Sequence, residues 1–148
     1  MKKFQFSLQK LMDFREQELD RQKNTLSALR GELFRIEEAT AELRRKVADE
    51  SAQLERVCAE GAQAVEISMR KRYIVTLQQE IHAREEQAAL KKLEIDKQLG
   101  VVVEATKDVK TLEKLEEKQL EEYKALETKE NEQFIEEFVS GAAVRGGA

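Results

Sequence analysis

From Leu8 onward the apolar residues advance in steps of four and three. This spacing marks sixteen positions from Leu8 to Gly61. Eleven are apolar: Leu8, Met12, Leu19, Leu26, Leu29, Leu33, Ile36, Leu43, Val47, Leu54 and Val57. Arg15, Gln22, Thr40, Glu50 and Gly61 hold the others. A mean spacing of about 3.5 residues is the seam of a left-handed supercoil. The second half keeps one column strictly, with Ile74, Ile81, Ala88, Ile95, Val102 and Val109 each one heptad apart. Its companion column is looser. Leu77, Leu99 and Leu112 supply it, Arg84, Lys91 and Gln98 interrupt it, and Leu90 and Leu93 widen the stripe. Beyond Leu112 the beat shifts through Leu115, Leu120, Tyr123 and Leu126, a stutter, and Phe134, Ile135 and Phe138 end the pattern.

Between Cys58 and Ala64 the beat is lost at Gly61, which marks a turn. The pattern therefore predicts an all-α protein, a long antiparallel two-helix coiled coil in which each seam satisfies the other. Its expected bounds are helix one over about 4–58, a turn over about 59–66, and helix two over about 67–140. A mobile tail over 141–148 follows the glycines after Ser140, with 1–148 forming a single hairpin. The alternative is one continuous helix that needs a second chain, a dimeric coiled-coil scaffold. Gly31 and Gly100 fall inside the helices, where each costs about 1 kcal/mol relative to alanine. They mark either a close helix approach or tolerated positions.

Composition supports helices over a globule. The chain has 148 residues, no proline and no tryptophan, with 38% charged and 5% aromatic residues. That is the make-up of a coiled coil or long helix, and its 41% apolar content is too high for simple disorder. The net charge of −4 is unevenly spread. Residues 1–57 carry 12 basic and 11 acidic groups, 58–110 carry 9 and 9, and 111–148 carry 5 and 10. The acidic last quarter repels nucleic acid and anionic membrane, so no nucleic-acid partner is expected. Lys2-Lys3 resembles the start of a leader, but Gln5, Ser7, Gln9 and Lys10 interrupt any apolar core. No run is long enough for an integral membrane segment. A single cysteine, Cys58, suits a reducing cytosol.

The residues that carry chemistry are scarce. His82 is the only histidine, so the clustered ligands of a metal site are missing. Cys58 has no predicted activating base. The pairs Glu85-Glu86, Glu116-Glu117 and Glu136-Glu137 sit on helix exteriors, without the shielded cleft that separates catalytic carboxylate pKa values. No glycine-rich phosphate loop is present. The expectation is a non-enzymatic protein with no catalytic residues, cofactor or metal, whose function lies in surfaces and ends. One cluster stands out, Arg70, Lys71 and Arg72 beside Tyr73, read either as a solvated helix start or as a protein-docking patch near the turn.

The chain's ends carry a resemblance. Phe4, Phe6, Leu8 and Leu11, followed by the Arg15-Glu16 pair, resemble the opening of the bacterial flagellar FliJ family. The ending, Glu137-Phe138 followed by small residues and Arg145, is similar to that family's tail. The resemblance covers nearly the whole chain. It implies a component of the flagellar type III export apparatus whose coiled coil looks like the central stalk of rotary ATPases. It further implies three partners: the hexameric export ATPase, the export gate protein FlhA, and empty export chaperones that it escorts. The injectisome stalk proteins are the related alternative. The implied location is cytoplasmic, with peripheral association at the inner membrane through the export apparatus. Carried onto this chain, the gate-contacting patch falls on Tyr73 and Leu77 with Leu43 from helix one, and Arg70, Lys71 and Arg72 adjoin it. Lys46 and Glu50 stand where the family has aromatics. The implied ATPase contacts are Phe4, Phe6, Leu120, Tyr123, Leu126, Phe134 and Phe138.

Overall fold

A computed structural model describes residues 2–146. Two helices account for nearly all of it, α1 (Gln9–Ala59) and α2 (Ala64–Gly146), packed against each other as an all-α hairpin. Helix-forming alanine, leucine, glutamate, lysine and arginine fill both, with no proline to interrupt them. The chain reverses within itself at residues 60–63, so it is not one continuous helix.

The reversal rests on Gly61. Its φ of 85° is the only positive value among the described residues. The Ala62 N–H donates to the Val57 carbonyl at 3.1 Å, and the Gly61 N–H donates to the Cys58 carbonyl at 3.2 Å. These are the two bonds of a Schellman cap, which satisfy the last carbonyls of α1 and require a left-handed residue at Gly61. The N–H of Ile67 then donates to the Gln63 carbonyl at 3.1 Å as α2 begins. Glu66 stands in that first turn, where the helix dipole favours a carboxylate. Gly100 is the opposite case, since a Cβ built there meets nothing within 4 Å. Gly61→Ala is expected to cost about 1–2 kcal/mol, and Gly100→Ala to gain about 1 kcal/mol. Thermal or urea melts of the two variants check this, and shifts of the same sign would refute it.

Three expected bounds change. Helix one starts at Gln9 and not near Phe4, because residues 2–8 fold back onto α2 and bury Phe6. Helix two starts at Ala64. It also runs through Ser140 and Gly141 to Gly146, because Gly141 stays out of the left-handed conformation and its alanine neighbours favour helix. Gly147 and Ala148, the end of the expected mobile tail, lie outside the described residues. Neither Gly31 nor Gly100 marks a close approach, since both face open space.

Packing divides the chain into two compact units. The first joins Met1–Asp20 to Val103–Ala148. Its core is Phe6, Met12 and Leu112, with Phe4, Leu8 and Leu115 against it and Val109 also buried. Arg15 reaches Asp108 at 3.8 Å. The second unit is Arg21–Val102 and contains the turn. Leu26, Leu77 and Ile95 are buried in it, and Leu29, Leu33, Ile36, Leu43, Ile74 and Ile81 are half-buried. No large side chain among the described residues falls below 2% exposure. A single layer of helix on helix leaves both flanks of every seam residue near solvent.

Several polar interruptions of the seam are satisfied within the second unit, while Arg84 is exposed. Gln98 Nε2 donates to the Gln22 carbonyl at 3.0 Å and to Gln22 Oε1 at 2.7 Å. Thr40, 5% exposed, donates its hydroxyl to the Ile36 carbonyl at 2.8 Å. Lys91 lies 2.6 Å from Glu32 and 3.2 Å from Glu94. The hydrogen bond from Lys91 holds the Glu32 carboxyl below its ordinary range, and the same bond raises the Lys91 ammonium. Leu90 and Leu93 do not widen the core, being 63% and 65% exposed. The slot facing α1 belongs to Lys91, whose aliphatic stem covers the seam while its head reaches Glu32.

Candidate protein-docking surfaces

Near the turn, the heptad phase aims successive α2 side chains in different directions. Leu77, 4% exposed, points into the core. Tyr73 lies one turn earlier, outside the seam, and is 46% exposed. Val65 and Met69 precede it at helical spacing, at 70% and 66% exposure, so the three form one apolar ridge. Off-seam apolar residues four apart were the sequence signal for this ridge, which the heptad reading passed over. Leu43 is half-buried on α1.

The three cations behave differently from one another. Arg70 is half-buried and tied down, with Nε 3.4 Å from Glu66, Nη1 3.2 Å from Gln53, and Glu50 at 4.0 Å. It therefore braces α2 against α1. The side chains of Lys71 and Arg72 are exposed and make no ion pair among the described residues. The expected patch thus separates into a buried leucine, an exposed apolar ridge with Tyr73, a structural arginine and two available cations.

At the chain's ends, residues 2–8 form a clasp on α2. The rings of Phe4 and Tyr123 stack at 5.6 Å between centroids and 57° between planes. The Tyr123 hydroxyl donates to the Lys2 carbonyl. Ser7 Oγ meets the Gln119 side-chain amide, 3.1 Å from Oε1 and 3.0 Å from Nε2. Partial burial, followed by the nearby Glu127 carboxylate, raises the Tyr123 phenol above its ordinary value. Phe6 is only 6% exposed. Phe4 therefore meets both Tyr123 and the cluster of Phe6, Met12 and Leu112, and Leu120, one turn before Tyr123, is half-buried.

Among the described residues no other element covers α2 beyond Tyr123. Leu126 is 58% exposed, Phe134 69%, Ile135 59%, Phe138 70% and Val139 58%. Phe134 with Phe138, and Ile135 with Val139, are four apart and make an apolar face on a helix rich in glutamate. Such a face is stable only when something buries it, because an isolated helix relies on packing. Ile135 and Val139 extend the set expected from sequence.

These surfaces combine exposed apolar side chains with exposed charge. No group of three His, Cys, Asp or Glu residues able to hold a metal occurs among the described residues. His82 pairs with Glu86 at 3.2 Å on the exposed surface, and Cys58 is exposed. No helix among the described residues is long and apolar enough to cross a membrane.

The family model described as "Flagellar FliJ protein" aligns with residues 4–148. No curated protein and no solved structure matches the chain.

Proposed function

The chain belongs to the flagellar FliJ protein family and is thereby a component of the flagellar export apparatus, and we propose that it serves there as the stalk-like regulator of the hexameric export ATPase. The observation that carries this reading is the bare apolar face of α2 from Leu126 to Val139. A single asymmetric helix inside a ring of like subunits cannot contact all of them equally. It therefore binds some subunit states better than others and shifts their populations by that difference. The Lys- and Glu-rich flanks of the face give solubility when it is free.

In the same reading the ridge at Tyr73 docks the export gate protein FlhA, with Leu43 and Leu77 packed as its support. Empty export chaperones are carried as cargo. The protein acts in the cytoplasm and reaches the inner membrane through these partners.

Two measurements test the reading. Amides of residues 124–146 should exchange fast in the free protein and slow when the ATPase hexamer is added. Unchanged exchange in the complex would remove the stalk assignment. For the gate, Tyr73→Ala should weaken FlhA binding by about tenfold and move stability by no more than about 0.5 kcal/mol, as for other exposed positions. Full-strength binding by the variant would refute docking at Tyr73.

A further inference from the structure

The outer face of α2 just after the turn carries two cations, Lys71 and Arg72, that adjoin the expected gate patch but stand on a different face from Tyr73. Ile67, Ser68, Lys71, Arg72, Val75 and Gln79 recur at helical spacing and line one shallow open trough. At about 100° per residue, Val75 lies roughly 160° around the helix from the buried Leu77, so the centre of the trough faces away from α1, while Ile67, half-buried one heptad before Ile74, forms its inner edge. Val75 is 50% exposed at its centre. Lys71 and Arg72 stand beside Val75 without an ion pair among the described residues. The only carboxylate between Ala64 and Gln79 is Glu66, which is held by Arg70 at 3.4 Å. The trough therefore presents two unneutralised cations beside an apolar strip, in a chain that is acidic overall.

We infer that this face docks an acidic amphipathic helix of another protein. Its apolar side would lie on Ile67 and Val75, and its carboxylates would meet Lys71 and Arg72. Charge complementarity selects the partner. A basic helix would face two cations with no acid to offset them, while an acidic one gains two charge-assisted contacts. The apolar strip selects a helix over a free anion, because shape and spacing match the side-by-side packing of helices. Arg70 supports the site without touching the partner, since its bonds to Glu66, Gln53 and Glu50 fix the start of α2. The trough shares Lys71 and Arg72 with the expected gate patch but not Tyr73, which lies on a different face, so a Tyr73 variant tells the two surfaces apart.

The test uses the full chain and two synthetic amphipathic peptides, each about six turns long. They share one leucine stripe, flanked by glutamate in the first and by lysine in the second. Fluorescence anisotropy should show the glutamate peptide binding and the lysine peptide failing to bind, with binding weakened by added salt. Lys71→Glu combined with Arg72→Glu should weaken the glutamate peptide about tenfold or more, and Val75→Glu should also weaken it. Circular dichroism should confirm that each variant keeps its helicity, and Tyr73→Ala should bind the peptide as the unmodified chain does. Equal binding of both peptides, or binding indifferent to the charge reversal, overturns the inference. So does preference for phosphatidylserine vesicles over the peptide, which would make the face a membrane contact. Self-association of the chain that the charge reversal abolishes would make the occupant a second copy and also overturn it.

Discussion

Deleting residues 125–148 is expected to abolish stimulation of the export ATPase and to leave the rest of the chain folded. The cut removes Leu126, Phe134, Ile135, Phe138 and Val139, all at least 58% exposed. None of them belongs to the core of Phe6, Met12 and Leu112. It retains Tyr123, so the stack with Phe4 and the bond to the Lys2 carbonyl survive. Exposed residues contribute little to stability, and the melting temperature should stay within a few degrees of the full chain. The functional loss should be complete, because the deleted apolar face is the surface proposed to enter the ring. A truncated chain that still stimulates the ATPase fully would place the working contact elsewhere. Collapse of helicity would show instead that residues 125–148 support the hairpin.

The sequence disclosed the seam far better than the ends, and the reason is physical. A heptad repeat encodes which face of a helix is covered. Every position from Leu8 to Val57 in the first column is buried or half-buried, including the polar Arg15, Gln22, Thr40 and Glu50. What the repeat does not encode is how polar seam residues are satisfied. Gln22 with Gln98, and Lys91 with Glu32, are cross-helix pairs that depend on the register set by the turn. Lys91 in particular displaced Leu90 and Leu93 from the core, because a lysine stem covers apolar surface that hydropathy assigns to leucine. The turn was located from Gly61 although its mechanism was not. A Schellman cap needs one left-handed residue and leaves no Pro, Asn or Asp signature.

The docking residues were legible in part for the same reason. Exposed apolar residues off the heptad, such as Val65, Met69 and Val75, are silent in a reading built on the seam. The clasp was hidden more deeply. Phe4 and Phe6 alternate with polar residues outside any helix, and nothing local shows that they return onto Tyr123 and Leu112 across more than a hundred residues.

The clasp yields the last expected result, which separates a core residue from a contact residue. Phe6→Ala should destabilise the protein by about 3 kcal/mol, the low end for a buried phenylalanine because a two-helix layer buries its core incompletely. The loss falls on the cluster that Phe6 forms with Met12 and Leu112. Amide exchange should accelerate in residues 9–20 and 109–123, where Met12, Leu112 and Leu115 lose their cover. Ser7→Ala, which removes only the exposed hydroxyl contact with Gln119, should cost about 0.5–1 kcal/mol. ATPase binding by Phe6→Ala, measured under conditions where the variant is folded, should be close to that of the unmodified chain. The opposite pair of results, an unmoved melting temperature with binding lost, would return Phe6 to the partner surface and show that the clasp opens when the ATPase binds. The clasp's position also sets where the free face begins. Phe4 covers α2 as far as Tyr123, and the first uncovered apolar residue after it is Leu126.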